Sequence, residues 1–345
     1  MVDKKNSFRI IIIGAGSWGT TLAVLLAEKG YSIDIWTRSK DVFKNIKANR
    51  KNIKYTKDLS IPLNVTPFRE KKFRFDNQRI LVIFAVPSHA LREVLKIFKQ
   101  SLENNKVEAI VNVAKGFEAG TNLRLSEVMV ECLHEKLRDR IGVLSGPNIS
   151  SEIAKKLPSV SAISSTNLEL LKYIQPILST DYFRVYTNRD MFGVEIGGSV
   201  KNIIAIAAGI SDGLGYGTNT KASLVTRGLS EMTRFGLKLG AKPQTFAGIS
   251  GMGDLITTCF SRHSRNRNFG EKIGRGNKPK EIMKDMYMVA EGINTSKSVF
   301  EISKNIYVEM PITECVYDII YNDMEPMVSV KKLMTRKFKS EVESY

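Results

Sequence analysis

The chain has 345 residues, of which 43% are hydrophobic, and 52 Lys and Arg set against 35 Asp and Glu give a net charge of +17. That length predicts about two domains, and that hydrophobic share excludes global disorder. The widely spaced Cys132, Cys259 and Cys315 form no CxxC pair and no disulfide framework, and with only three His a metal site is not expected.

Residues 8–14 read Phe-Arg-Ile-Ile-Ile-Ile-Gly, a short β-branched run that predicts a buried parallel strand. Gly14-Ala15-Gly16-Ser17-Trp18-Gly19 follows, and then an apolar helix from Thr20 that stops at Gly30. Ser32–Trp36 is a second strand. Further strands are predicted at Ile80–Ala85, Ala109–Ala114 and Ile141–Leu144, separated by helical stretches near 88–102 and 122–138, with weaker strands at Val160–Ser164 and Phe183–Tyr186. Strands alternating with helices indicate an α/β, Rossmann-type, doubly wound, mainly parallel sheet. After about residue 190 the alternation ends. Helical patterns take over at Val194–Gly209, Lys221–Gly240, Arg265–Gly274, Ile293–Lys304 and Thr313–Asn322. The expected organisation is a dinucleotide-binding domain over 1–189 and a mainly α-helical domain over 190–345, with Lys331 to Tyr345 frayed.

The longest apolar stretches, such as Ile203–Ile210, fall short of the roughly 20 residues a membrane span needs. Met1-Val2-Asp3-Lys4-Lys5-Asn6 lacks the apolar region and cleavage site of a signal peptide, so a cytoplasmic location is expected. The basic excess is scattered and is densest from Arg38 to Arg79, with 13 basic and 4 acidic residues. It suits a solvated surface or an enzyme of phosphorylated substrates. No zinc finger, RNP-type motif or aromatic–basic interleaving accompanies it, so nucleic acid is not an expected partner.

Gly14-x-Gly16-x-x-Gly19 between a strand and a helix reads as a phosphate cradle, with a purely structural turn as the alternative. Gly14 permits the tight turn, Gly16 lets a pyrophosphate approach the backbone, and Gly19 lets helix and strand pack closely. The helix dipole and amides stabilise the phosphate charge. The second strand ends in Trp36-Thr37-Arg38-Ser39-Lys40. Two cations and two hydroxyls replace the acid that would hold the ribose hydroxyls, which favours tolerance of NADP(H). Asp34 and Asp41 flank the position and leave the choice between NAD and NADP open.

Val200 to Ile210 is apolar on all sides except for Lys201 and Asn202. A buried ammonium needs a partner or a lowered pKa, and a lysine of lowered pKa serves as a general acid/base; snorkelling to water is an equal alternative. Asp254, in the Gly-rich Gly251-Met252-Gly253-Asp254-Leu255, is either a counter-ion for Lys201 or a turn or cap residue. Ser261-Arg262-His263-Ser264-Arg265-Asn266-Arg267-Asn268 opens a helix with many donors and suits a phosphate dianion or an exposed basic loop.

Several motifs occur in order: Gly14-Ala15-Gly16-Ser17-Trp18-Gly19-Thr20, Val86-Pro87-Ser88-His89, Ala114-Lys115-Gly116, Ser145-Gly146-Pro147, Gly197-Gly198-Ser199-Val200-Lys201-Asn202, Gly251-x-Gly253-Asp254-Leu255, Ser264-Arg265-Asn266 and Glu309-Met310-Pro311-Ile312. In these the chain resembles bacterial NAD(P)-dependent glycerol-3-phosphate dehydrogenases over about residues 8 to 325. The resemblance implies reversible hydride transfer between NAD(P)H and dihydroxyacetone phosphate, giving sn-glycerol 3-phosphate for phospholipid synthesis. It implies that Lys201 is the proton donor and acceptor, completed by Lys115 and Asp254 and assisted by Asn202 and Thr258. Ser264, Arg265 and Asn266 would hold the substrate phosphate, and Gly146 and Asn148 fall at substrate-loop positions. Ser17, Trp18, Arg38, Lys115, Ser150, Arg265, Val289 and Glu291 would contact the cofactor, alongside the turn glycines. A homodimer is expected.

The chain departs from the family pattern in Pro147-Asn148-Ile149-Ser150, where Thr or Ser, an aromatic and Ala are common. It also lacks the Leu-Pro-Gly sequence often found near residues 50–79. Two rival readings are a β-hydroxyacid-type dehydrogenase, which needs no Ser264-Arg265-Asn266 clamp, and a cofactor-sensing or nucleic-acid-binding regulator, against which the Lys201, Lys115 and Asp254 set argues.

Overall fold

A computed structural model of the chain describes residues 8–75, 78–286, 290–338 and 340–341. It divides into two compact units. The first comprises the chain to Lys115 and Leu123–Met191; the second comprises Gly116–Asn122 and everything from Phe192.

The strands of the first unit are β1 (Phe8–Ile13), β2 (Ser32–Trp36), β3 (Lys51–Asn52), β4 (Thr56–Ser60), β5 (Val65–Phe68), β6 (Arg79–Phe84), β7 (Lys106–Asn112), β8 (Ile141–Ser145), β9 (Ser159–Ser164) and β10 (Phe183–Asn188). One sheet of eight strands has the order β10-β9-β8-β7-β6-β1-β2-β5, and β3 and β4 form a separate antiparallel ribbon. All sheet neighbours are parallel except β8 and β9. The mainly parallel, doubly wound expectation therefore holds, with β9 and β10 reversed as a pair at one edge.

Successive β1 residues go to opposite faces. Ile10 and Ile12 join one core and Ile11 and Ile13 another. Both faces are thus covered, which is why these strands read as unbroken apolar runs. The covering helices include α1 (Ser17–Glu28), α2 (Lys40–Asn49), α3 (Leu91–Glu103), α4 (Leu125–Cys132), α5 (Ser150–Ala154) and α6 (Leu168–Leu178). The helical stretch expected near 122–138 is shorter than expected: α4 stops at Cys132 and a 3-10 turn covers Glu135–Arg140. The chain winds outward from β1 through β2 to β5, then returns to β6 on the other side of β1. That reversal creates a switch point between β1 and β6, where ligands of such sheets bind.

The second unit is built from α7 (Met191–Gly213), α8 (Thr218–Lys238), α9 (Pro243–Phe246), a π turn (Ile249–Gly253), α10 (Asp254–Phe260), α11 (Arg265–Gly274), α12 (Pro279–Asp285), α13 (Glu291–Asn305), α14 (Pro311–Tyr321) and α15 (Pro326–Met334). It has its own apolar core around α7, including Ile203, Ile204, Ile206, Met232, Phe235 and Phe269. At 23 residues α7 is longer than its apolar pattern predicts and is long and apolar enough to cross a membrane. However, 83% of its most apolar window is buried inside the protein, the mark of a core helix. The expected fraying from Lys331 needs correction, because α15 continues to Met334 and its Ser329 is buried, with the carbonyl accepting from Cys315 Sγ. The N-terminal segment 1–7 and Val289 lie outside the described residues.

Candidate active site

The turn after β1 explains its three glycines separately. Gly14 has φ 121°, and a Cβ there would strike the Ala85 carbonyl that follows β6. A Cβ on Gly19 would strike the Gly14 carbonyl, so α1 can begin this close to β1 only without one. At Gly16 a Cβ would meet nothing within 4 Å. The protein itself does not need that position bare. Open space beside backbone amides at a helix start is what a pyrophosphate requires, so these residues fit a dinucleotide. Ser17 opens α1 and Trp18 packs edge-on to Phe183, with ring centroids 6.1 Å apart.

Asp34 is removed from contention as a ribose ligand. Arg9 on β1 grips it with two bonds, from Nε to Oδ2 and from Nη2 to Oδ1 at 2.9 Å. Asp41 lies in the first turn of α2. The end of β2 thus presents the exposed Arg38, with Ser39 capping α2 through Val42 N–H at 3.3 Å. Arg69, just after the neighbouring β5, donates from Nη2 to the Arg38 carbonyl at 3.3 Å, which places a second guanidinium at this edge.

Elsewhere in the first unit, Lys115 Nζ donates to the Gly146 carbonyl at 2.9 Å, joining two of the sequence-predicted residues beyond β7 and β8. Asn148 donates from Nδ2 to Ser161 Oγ at 3.3 Å, and Ser161 Oγ donates to the Ser145 carbonyl at 3.0 Å. Asn148 Oδ1 is buried with no partner among the described atoms. An orphaned buried acceptor is costly unless a ligand donor satisfies it. Ser150 starts the short α5.

In the second unit the Lys201 alternatives resolve. Its residue is 5% exposed and does not snorkel. The ammonium donates to Asp254 Oδ1 and to Thr258 Oγ1, the latter at 2.6 Å. Asp254 is 1% exposed, so it is the buried counter-ion as well as the first residue of α10. Thr258 in turn donates to the Asp254 carbonyl at 2.6 Å. Helical spacing puts residues 254 and 258 on one face, which is how one helix supplies both partners.

Asn202 and Asn266 form a second buried pair. Asn266 Nδ2 donates to Asn202 Oδ1 at 2.9 Å, and Asn266 Oδ1 accepts from Gly292 N–H at 2.9 Å. Asn266 therefore ties α11 to α7 and α13. The tie is close because a Cβ on Gly209 or Gly270 would strike the facing carbonyls of Arg267 and Ile206. Ser264 caps α11 through Arg267 N–H at 3.2 Å, so α11 opens with Ser264, Arg265 and Asn266 beside its positive end. The Arg265 residue is partly exposed, yet burial of its guanidinium lowers its pKa; Glu291, which starts α13, opposes that shift. At neutral pH it remains a full cation.

Two matches decide the family. The description "NAD-dependent glycerol-3-phosphate dehydrogenase N-terminus" fits residues 9–171, and the corresponding C-terminus description fits 190–331. The chain belongs to the NAD-dependent glycerol-3-phosphate dehydrogenase family. It is 45% identical over 334 residues to "Glycerol-3-phosphate dehydrogenase [NAD(P)+]" of Chlorobium phaeobacteroides, covering 97% of this chain and 99% of the relative. It is likewise 45% identical to the enzyme of the same name from Clostridium botulinum, with the same coverage. The crystal structure of glycerol-3-phosphate dehydrogenase from Coxiella burnetii superposes with a TM-score of 0.88 at 37% identity, covering 95% of this chain and 99% of that one. Within this family frame, Ser199 escaped the sequence reading. Its hydroxyl accepts from Gly116 N–H at 2.8 Å and donates to the Glu195 carbonyl at 2.7 Å, which fixes the residue that follows Lys115. The available signal was a hydroxyl two residues before the lysine in an otherwise apolar helix.

Proposed function

We propose that this chain catalyses NAD(P)-dependent interconversion of dihydroxyacetone phosphate and sn-glycerol 3-phosphate. The observation that carries the reading is the buried Lys201–Asp254–Thr258 cluster in the same unit as the Ser264–Arg265–Asn266 helix start. Bound nicotinamide supplies or accepts the hydride. In the reductive direction the ketone oxygen gains negative charge as its carbon gains hydride. Lys201 delivers a proton to that oxygen, and Asp254 and Thr258 hold its ammonium in position. Lys115 adds a second cation. The α11 start and Arg265 bind the phosphate, which orients the small substrate from a non-reacting end. Asn202 assists by holding Asn266, and Gly146 and Asn148 form the substrate loop.

Residues 1–189 act as the dinucleotide-binding part and 190–345 as the substrate part. The turn of Gly14, Gly16 and Gly19, with Ser17, Trp18, Arg38, Ser150, Val289 and Glu291, serves the cofactor. Arg38 and Arg69 beside an Asp34 already paired with Arg9 favour NADPH, because a 2′-phosphate gains two cations for which Asp34 does not compete. Operation in the cytoplasm, as a homodimer, in supply of glycerol 3-phosphate for phospholipids, completes the reading. The exposed row Met252, Ile256 and Phe260, at helical spacing, supports a self-association face that light scattering can test. The decisive experiment follows NADPH and NADH absorbance with dihydroxyacetone phosphate and with unphosphorylated ketoacids. Rapid oxidation with the phosphorylated ketone alone is expected; turnover of the ketoacids instead would overturn the assignment.

A further inference from the structure

The basic segment after α2 has a specific task that its composition conceals. Asn52 on β3 is fully buried, at 0% exposure. Its Nδ2 donates to the Ala15 carbonyl at 2.9 Å and to Thr20 Oγ1 at 2.8 Å. One side chain thus bonds the inside of the glycine turn and the first part of α1. Three residues later, the Tyr55 carbonyl accepts from Ser17 Oγ at 3.1 Å. The ribbon is itself anchored by Arg50, whose guanidinium donates to the carbonyls of Ile61 at 3.1 Å, Val65 at 2.8 Å and Pro62.

The chemistry fixes the orientation of the Asn52 amide. A carbonyl oxygen only accepts, so nitrogen and not oxygen must face Ala15. Peptide planarity carries this constraint one atom group further. The Ala15 carbonyl and the Gly16 N–H share a trans peptide plane and point in opposite directions. Holding the carbonyl therefore aims the Gly16 amide away from Asn52. The same residue, Gly16, has the open space around its Cβ position.

We propose that Asn52 is a positioning residue of the cofactor site. It braces the dinucleotide turn from the protein side, so that the Gly16 amide is pre-aimed at the pyrophosphate. This rests on the cofactor reading of the turn and extends it to a residue outside the turn. A preorganised amide contributes affinity because the turn does not have to be ordered on binding.

The test compares Asn52→Asp, which keeps the shape but turns the donor into an acceptor, with Asn52→Ala and with Asn52→Ser, which retains a shorter donor. NADPH affinity is measured directly by calorimetric titration of the full chain, alongside kcat, both KM values and thermal melting. The expected order of affinity is wild type, Ser, Ala, Asp, with the Kd of the Ala variant raised roughly tenfold. The kcat at saturating NADPH and the KM for dihydroxyacetone phosphate should stay near wild type. Should the Asp variant fail to fold, the Ser and Ala pair decides by the same ordering. Folded variants that melt earlier but bind NADPH as wild type does would overturn the proposal alone. A wild-type chain that binds no nicotinamide cofactor would overturn it together with the activity reading.

Discussion

The two units solve the problem of holding charge in different ways. In the proposed reading, the first faces a cofactor phosphate with backbone. Its Gly14–Gly19 turn carries no charged side chain, and its design lies in where Cβ atoms are missing. In the same reading, the second faces its chemistry with buried side chains. Lys201 and Asp254 are nearly inaccessible and are stabilised by each other and by Thr258. A backbone site tolerates any change that leaves its path alone and fails when a methyl is added. A buried ion pair fails when one of its charges is removed.

The sharpest way to break this contrast is at Lys201. Lys201→Ala should abolish turnover while leaving NADPH affinity nearly intact, because the turn belongs to the other unit. It also leaves Asp254 buried without its cation, which costs about 3–5 kcal/mol of stability. Lys201→Arg controls for that cost, since it keeps a cation but does not release a proton at neutral pH. It should lose less stability than Lys201→Ala and still lose roughly 10²- to 10⁴-fold in kcat. Steady-state rates with a parallel calorimetric titration check both variants, and near-normal kcat in either one would remove Lys201 from its role. The reciprocal experiment is Gly19→Ala. The added methyl lands on the Gly14 carbonyl, and the strain of about 1–3 kcal/mol should appear as roughly 5- to 150-fold weaker NADPH binding. Wild-type affinity would mean that the turn is not close-packed.

Legibility in the sequence followed the same divide. Every long helix of the second unit was visible from its apolar period, and Arg265–Gly274 matches α11 to the residue. The Rossmann strands were visible because both of their faces are covered. What escaped was held by non-local bonds. β5 is an edge strand containing Pro67, and β3 is two residues long, so neither produces a period. Lys201 was found but not its state, since burial and snorkelling give the same local pattern; only the fold brings Asp254 to it. Asp34 looked available because its Arg9 partner lies 25 residues away on the adjacent strand.

Arg265→Ala sharpens the contrast within the second unit, by removing a charge at a helix start rather than one of the Lys201–Asp254 pair. Loss of a charge-assisted hydrogen bond of about 1.5–3 kcal/mol should raise the KM for dihydroxyacetone phosphate roughly 10- to 150-fold, with little change in melting temperature. Unchanged KM and kcat would count against the phosphate clamp.

The last expected effect leaves the reaction untouched and concerns a buried carboxylate away from it. Glu231 on α8 accepts from Ile312 N–H at 2.6 Å and Thr313 N–H at 3.3 Å, and so caps the start of α14 across the second unit. Burial pushes its pKa up from 4.5 to about 7, against the lowering pull of those amides and of Arg234. A carboxyl whose pKa is raised on folding favours the folded state most fully below its unfolded value. That contribution is lost as pH climbs through the folded value, here between about 4.5 and 7. The shift corresponds to about 3 kcal/mol at most. Glu231→Gln keeps an acceptor for Ile312 and cannot ionise, so urea-unfolding free energies of the variant should fall less than wild type across that window. Parallel pH profiles for the two proteins would show that Glu231 is ordinarily ionised. The Glu231 charge would then be sustained by the Ile312 and Thr313 amides and by Arg234, without the neutralisation that burial otherwise imposes.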